Sequence, residues 1–442
     1  MQEKRRIPAI GPPARRGRFF ADFADFTKIS KKFPLLRETI YFIKRSKQGG
    51  LAMASSANNA IISKLRGLKT RRALVISAGG IRSGIQVLYM GYTGDDWEVF
   101  STAYLPWPQK VGDLIIRLNE TEEPVALSDI GWLDYKVTML ILDAAKAALV
   151  NAHKSVGKPH YAALNKPTLW KGPTGENLQQ SNWNLLVGDE LYLANSLGIP
   201  VMTEFLRHNM LAGGPGVLPT FPGSMIVAKK TEGVGLFLNI GTVARMTIID
   251  KKAGKLLMEA DTGPGTVLID KCALEAECPG GIDRDGQLTA RGYPNAECLE
   301  TLAGDNWLSK AAPKQASPEI FTHLLNHPCL KVLSSIDRMA TITALTAISA
   351  YEFYRREYKG AQQPEALWVS GGGGNNLALL DYLRASFDPI PVRSVEELDI
   401  PPDMKVPLTL GLTVDAFIRG KTIPWETGVH PKIKPLGRWT AP

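Results

Sequence analysis

From residue 73 onward the chain alternates short apolar runs of strand length with glycine turns and longer stretches of helical spacing. Residues 73–76 are continuously apolar, 77–84 hold a glycine turn, and 85–90 return as a second apolar run. Residues 97–104 supply a third strand. Apolar positions three and four apart predict helices over 111–118 and 128–149. Residues 160–170 read as a strand running into a loop, 191–197 as a short helix, and 200–205 as a strand followed by a loop over 206–222. The opening pattern then returns roughly 160 residues further on. Residues 235–240 and 244–250 are strands joined at Gly241-Thr242, and 255–260 is a third apolar run. That run enters Asp261-Thr262-Gly263-Pro264-Gly265, read as a strand-to-helix turn with a helix over 270–276. Helices at 339–358, 377–386 and 406–419 and a strand at 366–369 complete the second half. Two similar β-turn-β openings predict an internally duplicated α/β fold. Its lobes are 73–232 and 233–442, mixed sheets flanked by helices with a cleft between them, after an appended segment 1–72.

The turns carry the candidate chemistry. Glycines lack the side chain that would cover backbone N–H groups, so an anion can approach them closely. Candidate nucleotide contacts are Gly79, Gly80 and Gly84 in the first turn, and Asn239 and Gly241 in its repeat. Asp261, Thr262, Gly263 and Gly265 follow, then Gly371, Gly372, Gly373 and Asn376, where a strand meets a helix through four glycines. Each has a plainer alternative: Asp261 as a turn cap, Asp270 as a helix-start carboxylate, and Asp283-Arg284-Asp285-Gly286 as an Asx/Gly turn.

Composition narrows the class. Of 442 residues 44% are hydrophobic and 21% charged, the balance of an ordinary globular protein with a large core. No run has the length of a membrane span, and no apolar block follows the basic N-terminus as a secretory signal requires. The four cysteines form no C-x-x-C pair, so free thiols in a reducing compartment are expected, and with them a cytoplasmic location. The net charge of +9 is concentrated at one end: Met1–Arg72 holds 18 Lys/Arg and 4 Asp/Glu, against 34 and 39 in the rest. This arm reads as disordered, with an anionic membrane or nucleic acid as a partner, or as a mitochondrial transit peptide. A translation start at Met53 is a further alternative.

In order, these turns resemble the anhydro-sugar kinases, namely anhydro-N-acetylmuramic acid kinase and fungal levoglucosan kinase, over residues 73–442. The best-kept segments are Asp261–Gly265 with Asp270, Asp283–Gly286 with Arg291-Gly292, and Gly371–Asn376. Asn239-Ile240-Gly241 and Leu211–Gly216 are kept in part. The resemblance implies the actin/hexokinase/Hsp70-like ATPase fold, with ATP, Mg²⁺ and a 1,6-anhydro sugar in the cleft, and a homodimer. It also implies that a carboxylate activates water to open the anhydro bridge while a sugar oxygen takes the γ-phosphoryl.

Several positions depart from the family pattern, and they fall on the chemistry. The phosphate loop Ser-Gly-Thr-Ser-x-Asp-Gly is Ala78-Gly79-Gly80-Ile81-Arg82-Ser83-Gly84 here, so Ser83 replaces a metal-side aspartate. Val406 stands where a second metal carboxylate opens the last helix. The catalytic segment reads Glu204-Phe205-Leu206-Arg207-His208-Asn209, which places Asn209 at the base, and an amide cannot take a proton from water. Asn165-Lys166-Pro167-Thr168 replaces a His-Gly-Gln-Thr loop, and Ala316-Ser317-Pro318-Glu319 lacks the sugar-side arginine. The expectation is an ATP-binding pseudokinase that has lost its Mg²⁺ site. The alternative is altered chemistry on an anhydro sugar or related small molecule, with Glu204 or His208 as substitute base and Arg82 holding phosphate.

Overall fold

The computed structural model describes residues 58–79, 84–120, 124–172, 183–211, 218, 233–250, 252, 255–278, 281–316, 318–398, 400–421 and 437–442. Of the basic segment 1–72, residues 1–57 lie outside these, as do Gly80, Ile81, Arg82, Ser83, residues 212–216 and Ser317. Residues 58–66 are helical and 70–72 begin a strand, so that part of the segment is not the disordered arm expected. The elements below belong to the unit Ile61–Pro442.

The first sheet has six strands in the order β13-β7-β4-β1-β2-β3. Strands β1 (Thr70–Ser77), β2 (Ile85–Thr93) and β3 (Asp96–Leu105) form an antiparallel meander. Strands β4 (Tyr161–Asn165) and β7 (Val201–Thr203) continue it in parallel with β1, and β13 (Arg438–Thr440) closes the edge. Strands β5 (Thr168–Gly172) and β6 (Trp183–Leu186) pair as a separate hairpin. Helices α1 (Gln109–Glu120), α2 (Leu127–Asn151) and α3 (Glu190–Leu197) accompany this sheet. Leu133, Val137, Ile141 and Ala145 of α2 share a core with Leu74, Ile76 and Val87. Helix α4 (Phe205–Leu211) follows β7 directly.

The second sheet repeats the plan in the order β10-β9-β8-β11-β12. Strands β8 (Val234–Ile240), β9 (Val243–Asp250) and β10 (Lys255–Pro264) form the antiparallel meander. Strands β11 (Leu367–Ser370) and β12 (Val392–Ser394) extend it in parallel with β8. Helices α5 (Val267–Glu275), α6 (Ala296–Ala303), α7 (Pro328–Lys331), α8 (Ser335–Glu357) and α9 (Leu377–Phe387) belong to this half. In both sheets three antiparallel strands are followed by two parallel ones on the far side of the first. The duplicated mixed-sheet architecture expected from the repeat is therefore present.

A third core joins the halves. Helix α10 (Lys405–Ile418) places Leu408, Leu410 and Val414 with Val75 and Met90 of the first sheet and Phe237 and Trp368 of the second. Helix and sheet faces buried on both sides explain the continuous apolar runs of β1 and β8. Among the described residues no helix is long and apolar enough to cross a membrane.

Three expectations need correction. Residues 205–211 are helical rather than loop: Glu204 has φ +67°, which turns the chain abruptly, and Phe205 anchors the helix at 2% exposure. Strand β10 runs through Asp261 to Pro264, with Pro264 opposite Val243, so most of that pentapeptide is strand and the turn is only Gly265-Thr266. Cys298 and Cys329 are joined as a disulfide, their Cα atoms 5.5 Å apart, and only Cys272 and Cys278 are free thiols. A separation of 31 residues hid the fact that the helices carrying them are neighbours.

Candidate functional site

A parallel sheet directs the C-terminal ends of its strands to one edge, where loops can assemble a site. On the first sheet that edge holds a network of charges. Lys166, just past β4, reaches Glu190 Oε2 at 2.8 Å and Glu204 Oε1 at 3.2 Å. Arg207, one turn into α4, pairs with Glu204 Oε2 at 3.0 Å and donates from Nε to Asn184 Oδ1 at 3.0 Å. Arg438 of β13 pairs with Glu190 from the other side. Lys166, Glu190 and Glu204 are all buried. Burial raises the Glu190 carboxyl, but the bond from Lys166 and the Lys166 and Arg438 charges bring it below its ordinary value. Glu204 holds a backbone conformation that side chains rarely adopt, and its two cationic partners fix it there.

His208 and Asn209 lie on the same helix. Burial pushes the His208 imidazole below its ordinary value, with Glu204 opposing and Arg438 adding to the shift, so the ring is neutral at neutral pH. Asn209 is only 2% exposed.

The first glycine turn starts against this network. Ala78 N–H donates to Asn165 O at 2.9 Å, and a Cβ on Gly79 would lie 2.3 Å from Asn165 Nδ2. At the other end Gly84 has φ +67° and packs on the Leu105 carbonyl beside Tyr104. Burial raises the Tyr104 hydroxyl, Asp403 raises it further and Arg284 opposes. Those two charges come from the second half of the chain, so Tyr104, beside Gly84, faces the turn before α10. Val406, one residue into α10, is half-buried and follows the buried Lys405.

On the second sheet the turns interlock. Thr266 N–H donates to Gly241 O at 2.8 Å and Gly265 N–H to Thr242 O at 3.0 Å. A Cβ on Gly265 would sit 2.0 Å from Gly241 O, so no larger residue fits. Gly371 has φ +88°, donates to Pro402 O at 2.8 Å, and leaves room for only a hydrogen beside Ile240 O. Gly373 packs equally close on Ile240, whereas Gly372 is exposed and faces open space. Ser370 Oγ donates to Asn239 Oδ1 at 3.2 Å, and Asn376 caps α9 by accepting from Leu379 N–H at 2.9 Å. The structure thus gathers Asn239, Gly241, Gly265, Gly371, Gly372 and Gly373 at the ends of β8 and β11.

Other predicted residues face inward. Asp261 accepts from Arg245 Nε at 2.7 Å on one oxygen and from Ala316 N–H at 2.8 Å on the other. Thr262 is fully buried and donates to Ala244 O at 3.3 Å, and a Cβ on Gly263 would meet Ser349 Oγ at 2.5 Å. Asp270 accepts from Thr266 Oγ1 at 2.9 Å. Asp283 accepts from Leu288 N–H, Thr289 N–H and Thr289 Oγ1 at 2.6–2.9 Å. Sequence reasoning missed Glu190 and Arg438 in the network. Glu190 is hidden as a helix-start acid, and Arg438 arrives from 248 residues away with no local signal.

The open face at Gly372, between tightly packed glycines, suits a flat ring or a phosphate approaching backbone. Among the described residues no group of three or more His, Cys, Asp or Glu is placed to hold a metal ion.

The family model for anhydro-N-acetylmuramic acid kinase matches residues 71–428. The anhydro-N-acetylmuramic acid kinase of Salinibacter ruber is 28% identical over 395 residues, covering 85% of this chain and 97% of that protein. That of a Synechococcus strain is 27% identical over 356 residues, covering 76% and 89%. Among solved structures, the activator of the 2-hydroxyisocaproyl-CoA dehydratase from Clostridium difficile with bound ADPNP overlaps with a TM-score of 0.40 at 10% identity, covering 81% of this chain and all of that one.

Proposed function

The chain belongs to the anhydro-N-acetylmuramic acid kinase family, and from that premise we propose that it binds ATP and a sugar in the cleft while phosphoryl transfer is lost or very slow. One observation carries the reading. The base position is Asn209, a buried amide, and the nearest carboxylate in its segment, Glu204, is tied to both Lys166 and Arg207. An amide has no proton affinity near neutral pH, and both oxygens of the Glu204 carboxylate are engaged by cationic partners. Losing a general base costs about 10²–10⁴-fold in rate. Val406 adds no charge at the metal end, and the glycine wall at Gly371–Gly373 supports nucleotide binding. The test is a coupled assay with ATP and 1,6-anhydro-N-acetylmuramic acid, comparing the native protein with Asn209→Asp. Native turnover at the level of the family's active members would end the proposal.

A second reading is favoured by His208. Its ring is neutral at neutral pH and so is able to accept a proton, whereas both oxygens of Glu204 are held in ion pairs. In that case His208→Gln abolishes turnover while Glu204→Gln does not. Equal loss in both variants would count against it.

A further inference from the structure

The disulfide lies outside the charge network and the glycine turns, and it has its own proton acceptor. Cys329 Sγ is 3.1 Å from His327 Nδ1, and the same nitrogen accepts the Cys329 N–H at 3.3 Å. A ring nitrogen that accepts a backbone N–H is unprotonated, so Nδ1 is the basic nitrogen of His327 and lies within reach of the sulfur. Cys298 is 1% exposed, whereas Cys329 is half-buried, so one sulfur is reachable and the other sheltered. That asymmetry, with a base beside the reachable thiol, is the arrangement of a reactive pair rather than an inert staple.

The bridge also encloses a segment with a task. Past the end of α6 the described chain up to α7 is irregular, apart from the 3-10 stretch Pro318–Asn326. It carries Lys314 and Ala316, which grip β10: Asp261 N–H donates to Lys314 O at 3.1 Å, and Ala316 N–H donates to Asp261 Oδ2 at 2.8 Å. Lys314 Nζ in turn donates to Trp307 O and Leu308 O within the same segment, at 3.3 and 2.9 Å. Joining α6 to α7 restrains both ends of this segment, and opening the bridge releases them.

We propose that Cys298–Cys329 is a reversible thiol–disulfide site whose state sets the rigidity of residues 304–327 and their hold on Asp261. In the oxidising direction the reactant is a low-molecular-weight disulfide such as oxidised glutathione. The Cys329 thiol gives its proton to His327, and the thiolate attacks one sulfur of the small disulfide, expelling one small thiolate. The Cys298 thiol then attacks Cys329 Sγ in the mixed disulfide and expels the second. Two protein thiols and one small disulfide become one protein disulfide and two small thiols, with the two thiol protons passing to the leaving groups. The reverse sequence reduces the site. The proposal does not depend on whether the cleft transfers phosphate.

The test uses the full-length protein in glutathione buffers of graded ratio. Thiols are trapped by alkylation and assigned by peptide mass, and limited proteolysis reports on residues 304–327. The expected result is reduction of the pair in the folded state, with faster cleavage of that segment. A Cys298→Ser/Cys329→Ser variant should be cleaved fast regardless of buffer, and His327→Ala should reoxidise about threefold slower or more. The proposal is overturned if never-reduced protein shows four free thiols, or if reduction occurs only on global unfolding. It is equally overturned if cleavage ignores redox state, or if His327→Ala reoxidises at the native rate.

Discussion

Glu204 is where local strain and buried charge meet. Its φ of +67° is held by Lys166 and Arg207, so Glu204→Gln strands a buried lysine with Glu190 alone and keeps the strain. Loss of one partner from a buried pair costs about 3–5 kcal/mol, and urea unfolding of this variant should show a fall in that range. Gly265→Ala forces a Cβ to within 2.0 Å of the Gly241 carbonyl, where neither side is a flexible side chain. A loss on the order of 3–5 kcal/mol, read from the same unfolding curves, is expected. His208 gives a pH signature. Its folded pKa is below the unfolded value of 6.5, so the unfolded state takes up a proton first as pH falls. Stability from this ring is present above that value and declines as pH drops below it, and His208→Gln should flatten the acid limb. The glycines were legible in sequence because their need for space is local. The ion network was not, because Lys166, Glu190, Glu204 and Arg438 meet only after four segments have folded.

Among the elements, the strands and long helices were readable from apolar spacing. The short helix α4 was not, because its start depends on the left-handed residue before it rather than on a cap or a periodic face. The end of β10 was misread for a related reason: Gly263-Pro264-Gly265 looks like a turn, yet pairing with β9 carries the strand through Pro264. Strand β13 shows how distant sequence completes an edge. Trp439 packs edge-on against Tyr161 with ring centres 5.8 Å apart and is 7% exposed. Trp439→Ala should cost about 3–5 kcal/mol in thermal or urea unfolding.

For the molecule as a whole, α10 between the sheets determines how the halves are held together. It opens on Lys405, which burial pushes down to about 8 from 10.5, with Glu259 opposing the shift. Lys314 is also brought down to about 8, by burial and then Arg356. In both cases the unfolded chain binds the proton more tightly, so stability rises with pH between about 8 and 10.5. Tyr92 and Tyr161, raised well above 10.0 by burial, reverse the trend above their ordinary value. Unfolding midpoints of the native protein should therefore rise across that range, and Lys405→Met should remove part of the rise.

The most direct measurement of the central claim is calorimetric titration of the native protein with ATP, with and without Mg²⁺, coupled to detection of phosphorylated anhydro sugar. The account predicts ATP binding of similar affinity in both conditions and no sugar phosphate. Binding that requires Mg²⁺ and proceeds to sugar phosphorylation would contradict it.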